Sequence, residues 1–212
     1  MARYTSAYSS FVQRLDEIAI LLRFSFQKEK ADPVNLRNEI NALCRGSVVL
    51  LSAHLEAYIK EVGELALDSL YQKCVPRSTI ASRFFYHISK RHISEIQETA
   101  DHDKIAEKVF SFIQTDLALW SKTGPFPQAL PTEQFNKGFS NPAYDKIKAY
   151  FNRFGYADYQ RDLTSILKAR YPSSINMVDH LVDTRNKIAH GDTTATKTPA
   201  EVRDMVVIIR QY

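Results

Sequence analysis

The chain contains little cysteine and lacks long apolar runs. Two cysteines in 212 residues, Cys44 and Cys74, are too few and too far apart for a disulfide framework or a zinc site. Residues 1–6 lack the apolar core of a signal peptide, and no stretch is long enough to span a bilayer. We therefore expect a protein of the reducing cytoplasm that does not associate with a membrane.

The excess of positive over negative charge is also small. The net charge of +4 permits contact with a polyanion such as RNA, but many proteins of this charge never bind nucleic acid. A hydrophobic fraction of 44% with 25% charged residues is that of an ordinary globular protein. A length of 212 residues suffices for one helical domain with its own core, so we predict a single domain over 1–212.

Glycine is rare, and long stretches are free of proline. Six glycines leave little room for β-hairpins and favour helices. Apolar residues recur at steps of three or four, which predicts an all-α bundle with extra short helices near 144–154 and 163–169. The clearest stripes are Phe11, Leu15, Ile18, Leu22 and Phe26; Val48, Leu51, Leu55, Tyr58, Val62 and Leu65; Phe84, Phe85 and Ile88; and Ile105, Val109, Phe112, Ile113, Leu117 and Trp120.

The helical pattern stops between about 121 and 142. Two glycines and four prolines fall in this segment, which predicts one irregular loop, longer than most loops of a compact domain. Such a loop either carries function or simply covers the core, and the sequence leaves both interpretations open.

The C-terminal part predicts two helices with defined ends. The serines at 173–174 can cap a helix that Gly191 then stops. Thr198 is followed by Pro199 and Glu201, which are the cap, the first-turn proline and the third-position glutamate of a helix start.

Arg185 falls on the face of the first of these two helices that should be buried, in line with Val178, Val182 and Ala189. A charged residue there is costly unless it is paired or lies at a wet interface. His190 follows five positions later, which places its side chain about 140° from Arg185 on a regular helix. The two act as a pair only if the helix end is distorted or a second copy of the helix supplies one of them.

These residue types suit the cleavage of a phosphodiester bond in RNA. An imidazole, whose pKa is ordinarily about 6.5, accepts or donates a proton near neutral pH. An arginine holds a phosphate and stabilises charge that develops on it. The 2′-hydroxyl of RNA can be the nucleophile, so no metal or other cofactor is expected. The plainer interpretation is an ion-paired Arg185 and a His190 that faces the negative end of the helix dipole.

Residues 185–190, RNKIAH, resemble the HEPN motif, in which an arginine is followed after four to six residues by a histidine. The flanking residues 181–184 and Gly191-Asp192 are also typical of the helix that carries this motif. Residues 45–58, RGSVVLLSAHLEAY, resemble the long second helix of two bacterial HEPN groups, of which RiboL-PSP-HEPN is one and the MAE_28990-like group is the other. The order and separation of the two stretches fit one domain.

The resemblance implies an up-and-down helical bundle, frequently a homodimer in which the two motifs face one another. It also implies metal-independent RNA cleavage, often in toxin–antitoxin or anti-phage systems with an antitoxin or defence-system partner. By position, Arg185 and His190 would be catalytic and Asn186 would support them. Asp192 stands where HEPN toxins silenced by a nucleotidyltransferase carry a tyrosine, so silencing through that tyrosine is not expected.

Other positions are further candidates, although each also has a simpler explanation. A glutamate on a long helix is often solvated, and a short basic run is usually an exposed helix face. The further candidates are Lys187, Arg45, Lys90 and Arg91 for RNA binding, and Glu56 and Asp183 for supporting roles.

Two functions remain open. The first is a metal-independent endoribonuclease of HEPN type in a toxin–antitoxin or anti-phage system. The alternative is a HEPN-like module that binds RNA or a protein partner and cuts nothing, because a fold does not guarantee an activity. Other chemistries lack signatures, since there is no phosphate-binding glycine loop, nucleophile elbow or metal-binding His–Glu pair.

Overall fold

The computed structural model describes residues 5–212, and every regular element in that range is a helix. The structure is 75% helical, which confirms the all-α prediction. The helices are α1 Ser6–Ala31, α2 Arg37–Gln72, α3 Ser82–Ile88, α4 Lys90–Gln97, α5 His102–Trp120, α6 Thr132–Asn136, α7 Tyr144–Asn152, α8 Tyr159–Leu167, α9 Tyr171–Ala189 and α10 Pro199–Gln211, with 3-10 turns at Arg77–Thr79 and Lys168–Arg170.

The described chain forms two compact units. The first consists of 5–61, Ser140–Ile147 and Gln160–Tyr212, and the second of Val62–Phe139 and Lys148–Tyr159. The single domain over 1–212 stays a prediction. In the part of the chain that the structure describes, no helix is both long enough and apolar enough to cross a membrane.

The first unit is built from α1, the first part of α2, the start of α7, nearly all of α8, and α9 and α10. The stripe predicted for α1 is buried from Phe11 to Leu22, and the stacked rings of Phe11 and Tyr58 join α1 to α2. Helix α10 packs against both α1 and α9. These contacts bury one apolar face of each helix, which is the main stabilising contribution in such a bundle. The buried apolar side chains that α2, α9 and α10 contribute to this unit include Ile40, Cys44, Val48, Leu51, Leu55 and Ile59; Val178, Leu181 and Val182; and Val202, Met205 and Ile209.

The ends of α9 and α10 follow local capping chemistry. Helix α9 begins at Tyr171, before the predicted serine cap. Pro172 fits its first turn because proline lacks a backbone N–H, and the N–H groups of the first turn have no partner within the helix. At its other end Gly191 has a φ of +82°, its N–H donates to Ile188 O (3.1 Å), and Asp192 N–H donates to Lys187 O (3.0 Å), which forms a Schellman motif. The capping box of Thr198 and Glu201 is present as predicted.

The second unit has an aromatic core. Phe84 and Phe85 of α3 pack with Phe126, Leu130 and Phe135, all from the segment predicted to be an irregular loop. That segment therefore covers the core of the second unit. It is also less irregular than predicted, since α6 occupies part of it.

The apolar stripe predicted for α5 forms a helix, but most of the stripe is exposed. Leu117 is 64% exposed, Ile113 and Trp120 are also exposed, and Phe110 beside them is 68% exposed. The buried residues of α5 are Asp116 and Leu119 instead. The helical spacing was right, but spacing does not reveal whether another helix of the same chain covers the stripe.

Candidate functional site

Arg185 lies half-buried in the last turns of α9, where two side-chain amides hold its guanidinium group. Its Nη1 donates to Asn141 Oδ1 at 2.7 Å and to Asn186 Oδ1 at 3.1 Å. Asn186 is the next residue on the same helix, while Asn141 comes from the segment before α7. The arginine predicted to face the core therefore has partners that are polar but uncharged.

Two hydrogen bonds within the first unit position Asn141, one at its own backbone and one at the start of the helix that follows it. Its backbone N–H donates to Glu56 Oε2 on α2 (3.1 Å), and the following helix α7 is held to α9 because Tyr144 N–H donates to Asp179 Oδ1 (2.8 Å). The φ of Asn141 is +54°, a left-handed conformation that asparagine tolerates better than most residues. These constraints fix the amide that receives the Arg185 hydrogen bond.

The positive charge of Arg185 has no carboxylate counterpart. Among residues 5–212, no carboxylate oxygen lies within 4.0 Å of its guanidinium group. Glu56 was a candidate for a direct pair, but its Oε1 accepts from Lys60 Nζ (2.7 Å) and its Oε2 from Asn141 N–H. Glu56 therefore connects to Arg185 only through Asn141. A half-buried cation that is held but not neutralised is a favourable place for an anion.

His190 is the C-cap of α9, and its backbone N–H donates to Asn186 O at 2.9 Å. Its side chain is exposed, and among the described residues no group lies within hydrogen-bonding distance of its imidazole. Helix α9 stays regular up to Ala189, so its end is not distorted in a way that brings His190 onto Arg185. Within one chain, a hydrogen bond thus links Arg185 to Asn186, and His190 takes no part in this network through its side chain.

The other predicted positions are scattered. Lys187 and Asp183 are exposed on α9, and Arg45 is half-buried on α2. Lys90 and Arg91 belong to the second unit, where Arg91 Nε donates to Glu95 Oε1 (2.9 Å). Only Asn186 and, indirectly, Glu56 share the hydrogen-bond network of Arg185.

Asn141 is the residue that sequence analysis missed. It lies in an Asn-Pro step at the end of the segment predicted to be irregular, and this step is a typical turn signal. The signal locates a turn, but nothing in it indicates that the side chain meets a residue 44 positions later.

The arrangement offers an oriented cation and an exposed imidazole at the end of α9, with one amide from α9 and one from Asn141. These groups suit the binding of a phosphate and the transfer of a proton, respectively. Among residues 5–212, no three His, Cys, Asp or Glu side chains form a group that could hold a metal ion.

Comparison with known proteins gives one match. No curated protein and no solved structure matches the chain. The family model described as RiboL-PSP-HEPN matches residues 9–212. That range includes both stretches on which the resemblance rests, 45–58 and 185–190, and extends over nearly the whole chain. The chain therefore belongs to the RiboL-PSP-HEPN family.

Proposed function

We propose that this protein is a metal-independent endoribonuclease. Membership of a HEPN family suggests a nuclease or RNA-related function. The observation that carries the finer proposal is Arg185, whose guanidinium group is held by two amide oxygens at 2.7 and 3.1 Å with no carboxylate to neutralise it. Its remaining donors suit a phosphate, since guanidinium–phosphate hydrogen bonds are charge-assisted and directional.

The proposed reaction is a transesterification within the RNA. The 2′-oxygen attacks the adjacent phosphorus, the bond from phosphorus to the 5′-oxygen breaks, and a 2′,3′-cyclic phosphate and a 5′-hydroxyl result. His190 moves the proton on the 2′-hydroxyl or on the leaving oxygen. Arg185 stabilises the charge on the phosphorane-like transition state, and Asn186 keeps the guanidinium group in place.

A second copy of the chain would complete this site. His190 is exposed at the end of α9, and its imidazole makes no hydrogen bond with another residue among those that the structure describes. In a twofold dimer with both copies of α9 near the axis, His190 of one copy can face Arg185 of the other. We therefore propose a homodimer whose RNA site is composite.

The biological setting is proposed from the resemblance alone. HEPN nucleases often serve in toxin–antitoxin or anti-phage systems, and such a role would require a partner that restrains cleavage. In this chain Asp192 stands where the silenced HEPN toxins carry the tyrosine that is modified. Asp192 accepts a hydrogen bond from Thr194 N–H at 2.8 Å in a short turn. Restraint by binding of a partner fits this residue better than modification.

The test is RNA cleavage by purified His190→Ala, with His180→Ala as the control because His180 is an exposed histidine on the same helix. We expect the rate to fall about 10²–10⁴-fold for His190→Ala and to stay unchanged for His180→Ala. Arg185→Ala and the double variant should resemble His190→Ala, because residues that act as a unit are not additive. Asn186→Ala should lower the rate less.

The products and the metal requirement are checked in the same assay. Products should end in a 2′,3′-cyclic phosphate or its hydrolysis product, and a chelator should not change the rate. A folded His190→Ala protein that cleaves at the wild-type rate would remove the catalytic proposal. A wild-type protein that binds RNA but never cleaves it would favour the binding-module alternative, which the unoriented imidazole of His190 already makes reasonable.

A further inference from the structure

The second unit contains a cavity of about 410 Å³ that the proposed reaction does not use. This volume lies within the range of small-molecule binding sites. Basic side chains from three separate parts of the sequence, 87–91, 137 and 153, converge on it. They are His87, Lys90, Arg91, Lys137 and Arg153.

The cavity has an excess of positive charge. Four permanent cations line it, against the two carboxylates of Glu95 and Glu98. Glu95 is already hydrogen-bonded to Arg91 at 2.9 Å. In the described part of the chain, no carboxylate lies within 4.0 Å of Lys90, Lys137 or Arg153. The walls therefore hold cations that no protein group neutralises, which favours a negatively charged ligand.

Arg153 is oriented before any ligand arrives. Its Nη1 donates to Phe135 O at 2.6 Å and to Lys137 O at 3.2 Å, and its guanidinium carbon lies 5.3 Å from the centre of the Tyr150 ring. Within residues 5–212, its Nε and Nη2 make no hydrogen bond. A guanidinium fixed in this way loses little conformational freedom when it binds a phosphate.

The first turn of α4 breaks the usual charge rule for helices. It begins with Lys90 and Arg91 and has no acidic residue, although the positive end of the helix dipole disfavours cations there. Its N-cap Ser89 makes no capping hydrogen bond with its side chain, and the Ser89 hydroxyl accepts from Trp120 Nε1 at 2.9 Å instead. Glu95 compensates Arg91 on the same helix, but Lys90 has no such partner among the described residues, and departures of this kind are often found at functional sites.

His87 adds a neutral polar group to these cations. Burial, followed by the positive charges of Arg153, Lys90 and Arg83, lowers the pKa of His87 to about 4. At neutral pH the imidazole is therefore uncharged and offers one donor and one acceptor. The side-chain amide of Gln134, which also lines the cavity, offers both as well.

From these observations we infer that the cavity binds a nucleotide unit of single-stranded RNA, with its phosphate on Arg153, Lys137 and Lys90. The cavity is larger than a lone phosphate requires, and the neutral donors and acceptors beside the cations match a ribose or base. The identity of the ligand as RNA rests on the proposed nuclease function. The cavity would hold the substrate without taking part in its cleavage.

The binding test uses a single-stranded 2′-O-methyl oligonucleotide, which cannot be cleaved because its 2′-oxygen is blocked. The variant is Lys90→Glu/Lys137→Glu, and the matched control is Lys104→Glu/Lys122→Glu, which makes the same charge change at exposed lysines of the same unit. We expect the cavity variant to bind at least about tenfold more weakly, with the salt slope reduced by about 1.4 for two lost phosphate contacts. Equal affinities of the two double variants would overturn the inference.

Smaller probes identify the chemistry. Adenosine 5′-monophosphate should shift the imidazole NMR signals of His87 and raise its pKa, because a bound anion favours the imidazolium form. Adenosine without phosphate should have little effect. A phosphoserine peptide that binds in the cavity when the oligonucleotide does not would overturn the assignment to RNA.

Failure of this inference is distinguishable from failure of the nuclease proposal. Unchanged oligonucleotide binding in Lys90→Glu/Lys137→Glu, together with cleavage that depends on His190, would overturn the cavity alone. Oligonucleotide binding that requires Lys90 and Lys137, together with no cleavage of unmodified RNA, would overturn the nuclease proposal and leave the cavity. Arg153→Lys, which keeps the charge and loses the fork, should weaken binding by less than the double reversal.

Discussion

Arg185 and His190 belong to one motif of six residues, yet the two side chains differ in burial and in hydrogen-bond partners. Arg185 is half-buried and tied to Asn141 and Asn186, whereas His190 is exposed and its imidazole has no partner among residues 5–212. Helix α9 therefore carries a guanidinium group that its neighbours already orient for anion binding. At the end of the same helix lies an imidazole that no described residue orients for proton transfer. This difference underlies our proposal that a second copy of the chain completes the RNA site.

The largest effect that tests this comparison is recovery of activity in mixed dimers. Arg185→Ala and His190→Ala are each expected to be almost inactive. If the site is composite, a mixed dimer carries one site with both substitutions and one site with neither. After subunit exchange, an equimolar mixture should therefore regain about a quarter of the wild-type rate.

The mixing experiment has a direct control. Tagged wild-type protein that is mixed with untagged wild type and then captured by its tag shows, by the untagged copy it retains, that dimers form and that exchange occurs. Light scattering measures the dimer independently. No recovery in an exchanged mixture would show that Arg185 and His190 act within one chain, and a monomer at high micromolar concentration would contradict the composite site altogether.

A smaller effect is expected from Asn141, which orients the arginine without touching the RNA in our proposal. Asn141→Ala removes the 2.7 Å acceptor of Arg185, so cleavage should fall roughly tenfold, comparable to about 1.4 kcal/mol. Asn141→Gly loses the same acceptor but relaxes the φ of +54°.

Comparison of Asn141→Ala with Asn141→Gly separates the orientation of Arg185 from strain in the backbone of residue 141. Both variants should lose activity to the same extent, while Asn141→Ala should also unfold at a lower temperature than Asn141→Gly. Full activity in Asn141→Gly would show that the amide does not position Arg185.

The smallest effect concerns stability. Arg185→Ala removes a half-buried side chain with two hydrogen bonds, and we expect a loss of about 1–2 kcal/mol in the free energy of unfolding. His190→Ala removes an exposed side chain and should change the free energy by less than about 0.5 kcal/mol. Urea denaturation of both variants measures the difference, and equal losses would contradict the contrast between the two residues.

Local chemistry explains which parts of the fold could be predicted. The stripe of α1, the stop at Gly191 and the capping box at Thr198 depend on residues a few positions apart, and the structure confirms all three. The stripe of α5 was predicted equally well as a helix, yet most of it is exposed. Whether another part of the chain covers a helix face is not a local property.

The candidate site divides in the same way. The sequence by itself determined that Arg185 lies on the inward face of a helix and that His190 lies at its end, because helical periodicity and the glycine stop act within one turn or two. Only the tertiary structure decided that Asn141 holds the guanidinium group and that Glu56 holds Asn141, across 44 and 85 residues of sequence. The basic cavity has the same origin, since Lys90, Lys137 and Arg153 meet there only after folding. Contacts of this kind depend on how packed helices place side chains in space, which no spacing along the chain encodes.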